Sequence, residues 1–139
     1  MLGEFIAEGS HRNTYRHKDN PLWIVKVAKG ERGSNFNKFN ILCNKYEYEV
    51  WHNAKNAIKQ HLVPCLWISD TYEYLICIKG KKKSSKFKIP KILKVYVFKE
   101  DMKKAKNWVE INGKTLLADY PELHKDYLIT RHKYKKCKL

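Results

Sequence analysis

Apolar and polar positions alternate in short runs over the first thirty residues, and turn residues break the runs. The pattern predicts three strands in succession. Residues 3–8 and 13–17 form a hairpin around Glu8-Gly9-Ser10. Asp19-Asn20-Pro21 turns the chain, and residues 22–28 supply the third strand. Residues 30–37, with Gly30, Gly33 and several polar side chains, read as a loop. Ile41, Tyr48, Trp51 and Ile58 then recur near helical spacing with no proline between them, which predicts a helix over 38–60. Residues 63–68 read as a strand, Ser69-Asp70 as a turn and 72–78 as another strand. "KGKKKSSKFK", residues 79–88, is a basic low-complexity linker or exposed loop. Residues 92–98 fit a strand or the end of a short helix. Asn112-Gly113 is a strong hairpin turn between residues 108–111 and 115–118. From Pro121 the chain starts helix-like and becomes lysine-rich.

Lys26 breaks this pattern. It interrupts the apolar run Trp23-Ile24-Val25-Lys26-Val27-Ala28. A lysine inside a strand is costly to bury without a counter-charge. Glu47 or Glu49, from the helix that follows, is the natural partner. Asn44, Glu47 and Trp51 share one helical face, whereas Glu49 lies ~160° from Glu47 at ~100° per residue. Glu47 is therefore the expected partner. The alternative is an edge-strand lysine whose stem covers apolar surface while its head reaches water.

The order β-β-β-α-β-β followed by a hairpin places the chain in the α+β class. Its 139 residues suffice for one domain, or one domain and a tail. The expected boundary lies in the basic linker, with residues 1–80 before it and 81–139 after it. No apolar run approaches the ~20 residues that span a membrane, and no signal-peptide pattern opens the sequence. No membrane partner is expected. Cys43, Cys65, Cys77 and Cys137 form no C-x-x-C pair and read as reduced thiols of a cytoplasmic protein. His124, His132 and Cys137 match no compact zinc motif.

Charge divides the chain. The formal net charge is +15, with ten Lys/Arg against eight Asp/Glu in residues 1–78 and nineteen against six in residues 79–139. A basic half of this kind suits a polyanion: nucleic acid, nucleotide phosphates or an acidic protein face. Lys81, Lys82, Lys83, Lys86 and Lys88 are the candidate polyanion-binding residues. A solvated basic surface explains the same charge without a ligand. Trp67, Tyr72, Tyr74, Tyr96, Trp108 and Tyr120 interleave with lysines, as in nucleic-acid binders, although aromatics at strand spacing also build cores.

"EGSHRNTYRH", "IVKVAK" and "NKYEYEVW", in this order, resemble the small lobe of the protein-kinase-like fold. The closest likeness is to small kinase-like proteins of bacteria and their phages, such as the PhoP-regulatory-network kinase-like family. The resemblance implies a five-stranded antiparallel sheet and one long helix, followed by a minimal large lobe. It implies a glycine-rich loop at Gly9, a nucleotide-binding lysine at Lys26 and its helix glutamate at Glu47. Ala7 and Arg12 stand at the loop's other two glycine positions. Gly9 lets the backbone approach a phosphate closely. His11 and Arg12 either touch phosphate or sit exposed at the hairpin tip.

"DMKKAKNWVEINGKTLLADYPEL", residues 101–123, resembles a catalytic loop followed by the metal-binding Asp segment. The likeness implies Asn107 and Asp119 as Mg²⁺ ligands. Asp119 serves equally as the cap of a helix starting at Pro121. The departures are specific. The catalytic aspartate belongs five residues before the asparagine, where Met102 stands. Asp101 is one residue too far, and no His-Arg precedes it. The twenty residues after Asp119 leave no room for an activation segment and large-lobe helices.

The expectation is therefore a pseudokinase-like binding module with ATP and Mg²⁺ as its only candidate cofactors. A phage-encoded module of this kind would act on a host protein or nucleic acid in the host cytoplasm. The alternatives are a minimal ATP-dependent kinase using Lys26, Glu47, Asp101, Asn107 and Asp119, or a nucleic-acid-binding protein that reuses the scaffold.

Overall fold

The structure is a computed structural model that describes residues 1–30, 35–82, 88–94, 104–121 and 123. Its elements are β1 (Leu2–Glu8), β2 (Arg12–His17), β3 (Trp23–Ala28), α1 (Asn35–Asn53), α2 (Asn56–Lys59), β4 (Cys65–Ile68), β5 (Tyr74–Ile78), β6 (Lys81–Lys82), α3 (Lys91–Lys94), β7 (Trp108–Ile111) and β8 (Lys114–Leu117), with a 3₁₀ turn at Ala105–Asn107 before β7. The chain is α+β. It divides into two compact units, Met1–Tyr48 with Pro64–Lys79, and Glu49–Val63 with Gly80–Leu139. Among the described residues no helix is long and apolar enough to cross a membrane.

The first unit holds a five-stranded antiparallel sheet in the order β1-β2-β3-β5-β4. Val25 and Leu75 are fully buried at its centre on β3 and β5. β1 and β2 meet at a tight turn in which the Gly9 N–H donates to the Arg12 carbonyl at 2.8 Å. A Cβ at Gly9 would lie 2.9 Å from that carbonyl oxygen, so the turn requires glycine. Tyr72 adopts φ 64°, a left-handed conformation that closes the connection from β4 to β5.

The helix differs from its sequence reading. It begins at Asn35, inside the expected loop, and ends at Asn53, after which Asn56–Lys59 forms a separate short helix. Its buried stripe is Asn40, Cys43, Asn44, Glu47 and Val50. The expected apolar markers Ile41, Tyr48 and Trp51 are only half-buried. A stripe that is half polar escapes hydrophobic periodicity, because polar groups enter a core only where partners satisfy them.

The second unit carries the three-stranded sheet β6-β7-β8. Asn112 (φ 50°) and Gly113 (φ 80°) turn β7 into β8, the two positive φ values of a type I′ hairpin. Leu117 of β8 exchanges backbone bonds with His61 and Val63 at 2.8 and 2.9 Å. Trp108 and Tyr120 are buried, and the Tyr120 hydroxyl donates to the Val63 carbonyl at 2.5 Å. Of residues 92–98, expected as a strand or the end of a short helix, 95–98 lie outside the described residues; Lys91–Lys94 is a helical turn that buries Leu93. Lys81 and Lys82 depart from the expected loop: they pair with Glu110 and Val109 of β7.

Candidate functional site

The site of the first unit grows from β3. Strand alternation sends Lys26 to the sheet face that α1 covers, whereas Val25 and Val27 point to the other face. Lys26 is 6% exposed, and its Nζ donates to Glu47 Oε2 at 2.6 Å. Glu47 is fully buried. The helical face favoured Glu47 over Glu49, and Glu47 is the residue that takes the lysine.

Arg12 adds a second cation. Its Nη2 donates to Glu47 Oε1 at 3.1 Å and its Nη1 to Asn44 Oδ1 at 3.2 Å. Arg12 is 8% exposed, so the reading of an exposed hairpin-tip residue is corrected. The residue closes the hairpin turn as the first position of β2, and its side chain turns inward toward α1. His11 is drawn in too: its Nδ1 lies 3.0 Å from Asn40 Oδ1. Asn40 Nδ2 in turn donates to the Lys29 carbonyl at 2.8 Å.

Asn44 ties the helix to two parts of the sheet. Its Nδ2 faces the carbonyls of Lys26, Tyr72 and Glu73 at 3.2, 2.9 and 3.1 Å. The same side chain therefore fixes β3, the β4–β5 connection and the Arg12 guanidinium. Buried amides with several partners are rigid, because loss of any partner leaves a polar group unsatisfied in a low-dielectric interior.

Burial pushes the Glu47 carboxyl upward, and the Arg12 and Lys26 charges with their hydrogen bonds overcome that push. The net result lowers it from 4.5 to about 2. Glu47 is thus a fixed negative charge at neutral pH, far from the range of a working proton acceptor. The cluster positions charge.

The glycine turn beside it is closed by its own chain. Lys29 Nζ donates to the Gly9 carbonyl at 3.0 Å and pairs with Glu8 Oε1 at 3.2 Å. Gly9 thus gives its N–H to Arg12 within the hairpin and its carbonyl to Lys29, just after β3. The structure thus brings together Gly9, Arg12, Lys26, Asn44 and Glu47.

Asn107 and Asp119 belong to the second unit. Asn107 is largely buried at the end of the 3₁₀ turn, and its carbonyl accepts from the Ala118 N–H at 2.7 Å. Asp119 follows β8 and is exposed. The two residues flank the open end of the β7–β8 hairpin. Asp101, the candidate catalytic aspartate, lies outside the described residues, as do Lys83 and Lys86. Lys81, Lys82 and Lys88 are exposed. Strand alternation directs Lys81 and Lys82 to opposite faces of β6, so they form no single patch.

Sequence reasoning missed Asn40 and the inward course of Arg12. The only available signal was an arginine at a glycine position of the hairpin, facing a helix with one carboxylate on its inner stripe. No protein-family model matches the chain, and no curated protein matches it.

Proposed function

We propose that the chain is a kinase-like binding module that does not transfer phosphate and engages an acidic partner, a host protein or nucleic acid, through its lysine-rich second half. One observation carries this reading. Arg12, from the hairpin that would cover nucleotide phosphates, is folded inward onto Glu47 beside Lys26. A phosphoryl-transfer site uses its lysine and glycine-loop amides to hold phosphate oxygens. Here the carboxylate is shared by two cations, and the Gly9 N–H is committed to Arg12.

The Lys26–Glu47 pair at 2.6 Å favours a second reading, a minimal ATP-dependent kinase in which Lys26 holds the nucleotide and Asn107 and Asp119 hold Mg²⁺. Labelled ATP with generic acceptors separates the two. The binding module gives no Lys26-dependent incorporation. Robust incorporation that is lost in both Lys26→Ala and Asp119→Ala overturns it. A thermal-shift titration with ATP and Mg²⁺ beside a polynucleotide then reports which ligand stabilises the fold.

A further inference from the structure

Cys65 and Cys77 stand directly opposite each other on β4 and β5. The Ile78 N–H donates to the Pro64 carbonyl, the bond that flanks them, so they form a non-hydrogen-bonded antiparallel pair. In such a pair the Cα atoms approach to about 4.5 Å, within the span a disulfide bridges. The two sulfurs lie 3.8 Å apart, and both residues are nearly fully buried. β4 is the short edge strand of the sheet, and Cys65 is its first residue. Fraying of that edge exposes Cys65 before any other part of the pair.

Glu47 approaches the same spot. A carboxylate oxygen of Glu47 and the two sulfurs lie within 4.8 Å of one another. Three such groups suggest a metal site, and tetrahedral zinc at about 2.3 Å from each sulfur would set them ~3.8 Å apart. Electrostatics argue against it. The Glu47 oxygens already accept from Arg12 and Lys26, and a divalent ion would meet both cations in a site sealed from water. A disulfide is neutral and meets no such opposition.

We infer that Cys65 and Cys77 are a redox pair that closes to a disulfide under a peroxide oxidant and locks the β4 edge onto β5 beneath Glu47. The thiolate of Cys65 attacks a peroxide oxygen. The O–O bond breaks, one water leaves and Cys65 becomes a sulfenic acid. The Cys77 sulfur attacks that sulfur, the S–O bond breaks, and the second water carries away the remaining proton. Two thiols and one hydrogen peroxide give one disulfide and two waters. The Cys65 thiol, which lies 3.9 Å from the Glu47 carbonyl, gives up a weak donor only.

The experiment uses the full chain. The folded protein is treated with hydrogen peroxide, quenched, denatured and alkylated with N-ethylmaleimide. Trypsin cuts after Lys59 and Lys79, so residues 60–79 carry both cysteines in one peptide. The expected product is that peptide two hydrogens lighter and unlabelled, with Cys43 and Cys137 labelled. A second cut at Asp70 leaves its halves joined until a reductant is added. Cys43→Ser gives the same link. Label on both Cys65 and Cys77 overturns the inference, as does linkage of either residue to Cys43 or Cys137. Retention of one zinc per chain that blocks the oxidation overturns it in favour of a metal site.

Discussion

Arg12 reaches Glu47 from thirty-five positions away in the sequence and shares its carboxylate with Lys26, so two buried cations meet on one buried anion. The arrangement is asymmetric. Removing either cation leaves Glu47 with the other. Removing the anion leaves both cations in the core.

Glu47→Gln is therefore expected to destabilise the fold by about 3–5 kcal/mol, the usual cost of breaking a buried pair from one side. Lys26→Met and Arg12→Met should each cost less. Urea unfolding of the three variants measures this order. A Glu47→Gln midpoint close to the parent's would show that the cluster contributes little.

The same carboxylate sets an acid limit. Its folded pKa is about 2 against 4.5 for the ordinary group, so the unfolded chain binds the proton more readily. The stability this supplies is complete above ~pH 5 and is lost as pH falls toward 2, amounting to about 3 kcal/mol. Desolvation, then Lys114, lowers the His61 pKa in the second unit. Protonation of His61 therefore also favours unfolding as pH drops through the usual histidine range. Chemical denaturation between pH 7 and pH 3 should show falling stability in the parent and a flatter acid limb in Glu47→Gln. Equal slopes would place the acid sensitivity elsewhere.

Much of the sheet was legible from the sequence. Period-2 runs marked β1 to β5, and Asn112-Gly113 marked the second hairpin because both residues tolerate positive φ. Glu47 was legible because an inward lysine needs a carboxylate on the facing helix stripe. Arg12 and Asn40 were not. Local pattern does not say whether a long cation turns outward to water or inward to an anion contributed from thirty-five residues away. The pairing of Lys81 and Lys82 with β7 was hidden for a related reason: composition identifies a basic run, but pairing comes from the distant Val109 and Glu110.

Gly9→Ala tests the link between the hairpin and the cluster. The added Cβ meets the Arg12 carbonyl at 2.9 Å, and backbone there has little freedom to yield. A loss of about 1–3 kcal/mol is expected from the forced shift. If the shift is transmitted through Arg12, Gly9→Ala and Arg12→Met should be non-additive in the double variant, as contacting sites are. Additive losses would separate the turn from the cluster. Gly113→Ala is a control in the second unit. Its Cβ meets nothing within 4 Å, so its cost of about 1–2 kcal/mol is that of left-handed backbone alone.

The basic half makes a prediction about salt. Each phosphate that a lysine neutralises releases counterions, so affinity for nucleic acid falls with salt by ~0.9 in logarithmic slope per contact for duplex and ~0.7 for single strands. Lys81 lies opposite Glu110 in the β6–β7 register, whereas Lys82 lies opposite Val109 on the other face. The Glu110 carboxylate offsets the field around Lys81. Lys82→Ala should therefore lower the slope by nearly one contact, and Lys81→Ala by less. Lys88→Ala reports on the exposed position beyond the run. All three residues are exposed, so their replacement should leave stability within about 0.5 kcal/mol of the parent. Filter binding or fluorescence anisotropy across a salt series measures the slopes. An affinity that ignores salt, or a Kd of ~10⁻⁴ M or weaker at physiological salt, leaves only non-specific attraction to nucleic acid. The acidic partner would then be a protein, and Lys82→Ala should weaken its capture in low salt while high salt erases the difference, because surface charge pairs are screened within about 10 Å at 0.1 M.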